Sequence, residues 1–200
     1  SGVELNEVIK ESLIITGGKT KRHTVLKEIG DVPLVTCFRS HIGQVLTNLF
    51  ANAADALDEC VTAERVKGKI FKGKIRVCSY PEARDGIEGV CVAVGDNGAG
   101  VDENLREQVF EAFFTTKPSG MGTGLGLSVC ATIVQDHAGI IEVGTDEELG
   151  GARFVIWLPV KMKQSDEYVL VDHEVMQSSG HQAKIGAPQE GMNESPEEPQ

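Results

Sequence analysis

From Ser40 to Leu57 the chain reads SHIGQVLTNLFANAADAL, and this stretch limits the possible folds more than any other. Ile42, Val45, Leu46, Leu49, Phe50, Ala53 and Leu57 recur at intervals of three and four, the period of a helix with one buried face. Ser40 stands where it can cap the first turn. Asn48, Asn52 and Asp55 fall at i, i+4 and i+7, so they share a face away from the apolar stripe. An ordinary solvated face accounts for them taken alone. A face turned toward a cavity with a ligand and its cation accounts for them too. An asparagine carbonyl is a hard, neutral oxygen suited to magnesium, which takes one or two protein oxygens and completes its shell with water and substrate phosphates.

The remaining pattern mixes helices and strands. Val3, Leu5, Val8, Ile9, Leu13 and Ile14 predict a short amphipathic helix from Val3 to Thr16. HTVLKEIG and PLVTCF, split by Gly30 and Asp31, read as a hairpin-like pair of short strands. RVKGKIFKGK reads as a solvated loop before the strand KIRVCSY. GVCVAVGD is apolar and β-branched, as a central strand would be. A short helix is expected from Glu103 to Phe113, none in TTKPSGMGTG, and another in LGLSVCATIVQDH. GIIEVGT and ARFVIWLP are two strands joined by an acidic turn from Asp146 to Gly151.

With 200 residues, 40% of them hydrophobic, the chain can build one good core with some length left over. A net charge of −11 argues against a sequence-independent grip on nucleic acid or an anionic membrane, which both need a basic face. A phosphate ligand must therefore be held locally. Cys37, Cys60, Cys78, Cys91 and Cys130 are widely spaced, form no CxxC pair and read as reduced core residues. No signal-peptide pattern or 18-residue apolar run occurs, so the expected location is cytoplasmic, with the chain either a cytosolic protein or a cytosolic piece of something larger. The opening Ser1-Gly2 resembles a remnant of tag removal. Residues 1–161 read as the folded domain. Residues 162–200 read as an acidic polar tail, a linker or a fragment of a following domain.

Two glycine motifs could shape a ligand site. DNGAG, Asp96 to Gly100, follows the central strand. A strand-end carboxylate can accept a hydrogen bond from an exocyclic amine, and Gly98 and Gly100 allow close backbone approach, although Asp-Asn-Gly is also a common turn. GMGTGLGLS runs straight into an apolar helix, so its backbone N–H groups and helix dipole can form an anion site. It is neither a Walker A loop nor a Rossmann turn. Between the two motifs, Phe110 and Phe113 sit at helical spacing. Lys117 follows in a segment rich in glycine and proline, able to close over a triphosphate as a point charge.

Taken in order, the asparagine-rich helix, the strand with DxGxG, the phenylalanine-containing segment and GxGxGL resemble the N, G1, F and G2 boxes of the histidine-kinase catalytic ATP-binding domain. That domain belongs to the superfamily of gyrase, heat-shock chaperone, histidine kinase and MutL ATPases. The resemblance covers roughly residues 1 to 160, and FFTTKPSGMGTGLGLS looks most like nitrogen-regulation and dicarboxylate-sensing kinases. It implies an α/β two-layer sandwich, a mixed and mostly antiparallel sheet with about three helices on one face. The ligands implied are ATP and Mg2+. Asn52 would ligate the metal, Asn48 and Asp55 would lie near the phosphates, and Asp96 would read the adenine amino group. Gly98, Gly100 and Val101 would shape the adenine pocket. Phe114, Thr115, Thr116, Lys117, Gly120, Gly122, Thr123, Gly124, Leu125 and Gly126 would form the lid and phosphate cradle. Asn52 and Lys117 would be the catalytic pair.

By the same resemblance, hydrolysing relatives carry Glu at the position of Asn48. A carboxamide cannot serve as general base, which favours transfer to an external nucleophile. Asp55 departs from the Lys or Arg common in kinases, and Ala152 stands where relatives often have Thr. None of His23, His41, His137, His173 or His181 lies in a phosphoacceptor setting, and His41 and His137 read as helix-end or surface residues. The expected partners are a separate dimerisation domain carrying the acceptor histidine and a response-regulator receiver domain. YVLVDHE, Tyr168 to Glu174, resembles the first strand of a receiver, but too few residues follow to build one. A hydrolysing conformational switch of the gyrase or MutL kind, and a nucleotide-sensing module without transfer, remain as alternatives.

Overall fold

The computed structural model describes residues 2–117 and 123–161. Its framework is a five-stranded sheet built from β2 (Thr24–Ile29), β4 (Lys74–Arg84), β5 (Ile87–Asp96), β6 (Ile140–Thr145) and β7 (Ala152–Pro159), in the order β2-β4-β5-β7-β6. Only β2 and β4 run parallel, and the other pairs are antiparallel. A separate pair joins β1 (Gly2–Val3) to β3 (Val35–Thr36). The helices are α1 (Leu5–Ile15), a single turn α2 (Gly17–Thr20), α3 (Arg39–Val66) and α4 (Gly126–Asp136).

Strand alternation decides which side chains meet the helices. Ile75 and Val77 of β4, Val90, Val92 and Val94 of β5, and Phe154, Ile156 and Leu158 of β7 join one core with the apolar faces of α1, α3 and α4. All seven apolar positions read on the α3 stripe are buried. At about 25 cal/mol per Å2, burying side chains of this size contributes roughly 1.5–3 kcal/mol each, which makes α3 the main hydrophobic anchor. The other face of β5 is also covered, because Trp157 donates its indole N–H to the Glu82 carbonyl at 2.8 Å and Arg84 stacks on the indole ring. β5 therefore reads as an unbroken apolar run. The result is the expected two-layer sandwich with a mixed, mostly antiparallel sheet.

Four local expectations are corrected. β2 and β3 do not form a hairpin; β2 pairs with β4 from Thr24↔Lys74 to Ile29↔Ser79, and β3 turns away to pair with β1. The long α3 crossover lets β2 and β4 run parallel, and Pro33 between β2 and β3 lacks the N–H that a ladder requires. Ser40 is not the cap. Helix α3 begins after Phe38, whose N–H donates to His137 Nε2 at 3.0 Å, while His137 Nδ1 bonds the Ile133 carbonyl at 2.7 Å. His137 is thus a buried helix-end residue tying α4 to α3, carrying its proton on Nδ1. Ile14 is 78% exposed although it fits the helical period, because α1 ends against solvent there. Two short 3-10 turns, Glu103–Leu105 and Gln108–Phe110, replace the helix expected from Glu103 to Phe113. Phe110 packs edge-on against Phe154, and Phe113 has φ of 68°, which no helix accommodates.

Candidate functional site

A cavity of about 640 Å3 lies between α3, the end of β5, the start of β7 and the N-terminus of α4. That volume suits a nucleotide-sized ligand. Its wall contains Asn52, Asp55, Asp96, Gly100, Val101, Phe114, Thr115, Thr116, Lys117, Thr123, Gly124 and Gly126. Residues more than 70 positions apart are thereby gathered around one space. Asn48, Gly98 and Leu125 stand outside that wall. Gly120, Gly122 and the tail with Tyr168 to Glu174 lie outside the described residues.

Asp96 is placed by its backbone neighbours. The carboxylate is almost fully buried and accepts from the Gly98 N–H at 2.7 Å and the Ala152 N–H at 3.3 Å, both on Oδ1. Burial pushes its pKa up; the two amides pull it back, and nearby Asp146 adds to the rise. Because both amides use Oδ1, the second oxygen keeps acceptor capacity for an exocyclic amine. Gly151 closes the arrangement, donating to the Asp96 carbonyl at 3.1 Å. The turn that delivers Gly151 is pinned by Asp146, which accepts from the Glu148 and Leu149 amides and receives Arg76 Nη2 at 3.0 Å on both oxygens.

On α3, Asp55 lies between two ammonium groups, Lys19 Nζ at 2.6 Å and Lys117 Nζ at 3.1 Å. Burial opposes its ionisation, yet the lysine hydrogen bonds outweigh that and hold the carboxyl below its ordinary range. Asn48 uses its amide to brace α4, donating to the Gly126 carbonyl at 3.3 Å. The first turn of α4 meets the cavity at Gly126 and Leu127, with its N-terminal dipole directed to that side. Phe113 N–H donates to the Gly124 carbonyl at 2.9 Å, so a strained aromatic position abuts the glycine loop.

Some wall residues escaped the sequence reading. Ala56, Cys60 and Ala63 continue the Asn52 face of α3 at steps of four, four and three, and that spacing was available as a signal. Burial pushes the Cys60 thiol up. Of the five free cysteines only Cys91 and Cys130 are buried, with thiols pushed up to about 12 and about 11 by burial. Lys19 carried no sequence signal at all. A second concavity, of about 650 Å3, includes Arg76, Tyr80 and Arg153. There Arg76 is committed to Asp146 and Glu148.

The model of the histidine kinase-, DNA gyrase B-, and HSP90-like ATPase family matches residues 38–162, and the chain belongs to that family. Its relatives include sensor histidine kinase ZraS of Escherichia coli O157:H7, 34% identical over 167 residues, which are 82% of this chain and 32% of ZraS. The C4-dicarboxylate transport sensor protein DctB of Pseudomonas aeruginosa is 31% identical over 153 residues, 75% of this chain and 23% of DctB. The chain thus spans a third or less of these relatives. Among solved structures, the catalytic domain of histidine kinase ThkA superposes with a TM-score of 0.64 at 32% identity, covering 80% of this chain and 95% of that one. ThkA in complex with response regulator protein TrrA gives 0.62 at 28% identity, covering 82% and 42%. The resemblance to sensor kinases, including the dicarboxylate type, is borne out. Among the described residues no helix is long and apolar enough to cross a membrane.

Proposed function

We propose that the cleft binds ATP with Mg2+ and that the chain donates the γ-phosphoryl group to a histidine on a separate dimerisation domain, with a response regulator as the next recipient. The observation that carries this reading is the convergence of Asn52, Asp96, Lys117 and the α4 N-terminus on one cavity. Asp96 offers an acceptor to the adenine amino group, with Gly100 and Val101 beside it. Lys117, Thr115, Thr116 and the α4 N-terminus, all in the same wall, would meet the phosphates. Phosphoryl transfer asks chiefly for positioning and charge neutralisation, which these groups provide.

The donor set fits magnesium. Asn52 presents a hard carboxamide in the wall, and the described residues hold no cluster of three or more His, Cys, Asp or Glu that would cage a metal alone. A cation there depends on substrate oxygens and water, as Mg2+ does. When bound it would offset polyphosphate charge beside an acidic protein. The hydrolytic reading is weaker, because position 48 carries a carboxamide, its nitrogen turned onto α4, where a hydrolysing site would use a carboxylate to activate water. ThkA, with its response-regulator complex, supports a receiver domain as partner.

The test mixes this chain with labelled ATP and a separately prepared acceptor domain, comparing wild type with Asn52→Ala. Label should reach the acceptor histidine with wild type only. Equal labelling by the variant, or release of free phosphate with none on the acceptor, would contradict the reading.

A further inference from the structure

Lys19 belongs to no motif, yet it reaches the cleft wall. It stands 36 positions before Asp55, on the single turn α2, and its Nζ lies 2.6 Å from Asp55 Oδ1. Lys117 takes the other oxygen, Oδ2, at 3.1 Å. One turn further along α3, Arg22 Nη2 lies 2.9 Å from Asp58 Oδ2. The chain from Lys19 to Arg22 is thus fastened to α3 at two acid positions, the first of which belongs to the cavity.

An aspartate in the wall of a polyphosphate site poses a problem, since it repels the ligand and competes for the cation that should meet it. With Lys117 as its sole partner, Asp55 would attract that ammonium as a full charge. With Lys19 already on Oδ1, Lys117 faces a neutral ion pair, whose field falls off faster with distance than that of a bare charge. We propose that Lys19 is a positioning residue of the nucleotide site, neutralising Asp55 so that Lys117 can exchange from Oδ2 to the phosphates of a nucleoside polyphosphate. This rests on the reading of the cleft as an ATP site and adds to it a residue that acts through Asp55 without touching the ligand. The pairing also accounts for an acid where kinases of this kind commonly carry a base.

The experiment titrates ATP–Mg2+ and, separately, adenosine into the whole chain as wild type, Lys19→Ala, Lys19→Arg, Asp55→Asn and the double variant Lys19→Ala with Asp55→Asn. Lys19→Ala should weaken ATP–Mg2+ about three- to fivefold, the range open to a partly exposed ion pair, and leave adenosine affinity unchanged. Lys19→Arg should retain wild-type affinity. On the Asp55→Asn background, removing Lys19 should have no further effect. An unchanged ATP affinity in Lys19→Ala overturns the proposal. So does an equal loss for ATP and adenosine, which marks a merely structural role, or the same loss with Asn at 55, which marks a direct phosphate contact. Failure of the wild type to bind ATP–Mg2+ sinks the functional reading and this one together, whereas wild-type binding with an indifferent Lys19→Ala sinks this one alone.

Discussion

Gly151 packs against Asp96 so closely that a Cβ there would stand 2.4 Å from the Asp96 carboxylate oxygen and 2.5 Å from its carbonyl oxygen. Two of the atoms it would meet are backbone, the Asp96 carbonyl oxygen and the Gly98 nitrogen, so neither can swing aside. Gly151→Ala should therefore shift the Asp96 carboxylate, cost about 1–3 kcal/mol of stability as overpacking does, and, on the proposed reading of the cleft, weaken ATP at least about tenfold. Urea denaturation and nucleotide titration measure the two effects. Wild-type affinity in this variant would show that the contact is slack.

Burial raises the pKa of Asp96, so the folded state holds its proton more tightly than the unfolded chain does. The contribution to stability is complete below the ordinary carboxylate value, about 3.9, and is lost as pH rises through the raised folded value, leaving a costly buried charge at neutrality. Asp96→Asn should consequently melt higher than wild type at pH 7, while losing most adenine affinity. The gap should shrink as pH falls toward 4. Equal melting points at pH 7 would count against a costly charge, and undiminished ATP binding would remove Asp96 from the site.

Asn52 is expected to act through the cation. Wild type should bind ATP more tightly with Mg2+ than with a chelator, and in Asn52→Ala the two affinities should converge. A persistent magnesium effect in the variant would assign the metal to other oxygens.

Lys117→Ala should lower phosphoryl transfer to the acceptor domain by about tenfold or more, as loss of one charge contact to the transferring group does, with adenosine affinity intact. Transfer at the wild-type rate would place Lys117 outside the chemistry.

Arg76→Met leaves Asp146 as a buried carboxylate without its guanidinium partner, a change that typically costs about 3–5 kcal/mol. Both side chains are over nine-tenths buried. The denaturant midpoint should fall accordingly, and ATP affinity with it, because Asp146 holds the turn that carries Gly151. A small change in midpoint would indicate that the turn holds without the ion pair.

The α3 stripe was legible because its period is local, and β5 because burial on both faces leaves an apolar run without alternation. The 3-10 turns beyond Asp102 were not, since the pull of Phe110 onto Phe154 outweighs helical spacing there. The true partner of β2 was hidden behind a helix of 28 residues. In the cleft, Asn52, Asp96 and Lys117 stood out because metal binding, base reading and phosphate neutralisation each need a particular side-chain chemistry. Asn48 shared that chemistry, and its amide nitrogen also braces α4 through the Gly126 carbonyl. Lys19 and Gly151 were invisible, since each matters only through a neighbour that folding supplies.

The sequence by itself determined most of the helices and strands, the segment from Glu103 to Phe113 excepted, and which side chains can bind a metal, an amine or a phosphate, because periodicity and functional groups are properties of short stretches of chain. Tertiary structure alone decided that Arg76 holds Asp146, that Gly151 presses on Asp96, and that Asp55 is shared between Lys19 and Lys117. These contacts join residues far apart in sequence, and their energies depend on the distances and burial that only the packed sheet and helices establish.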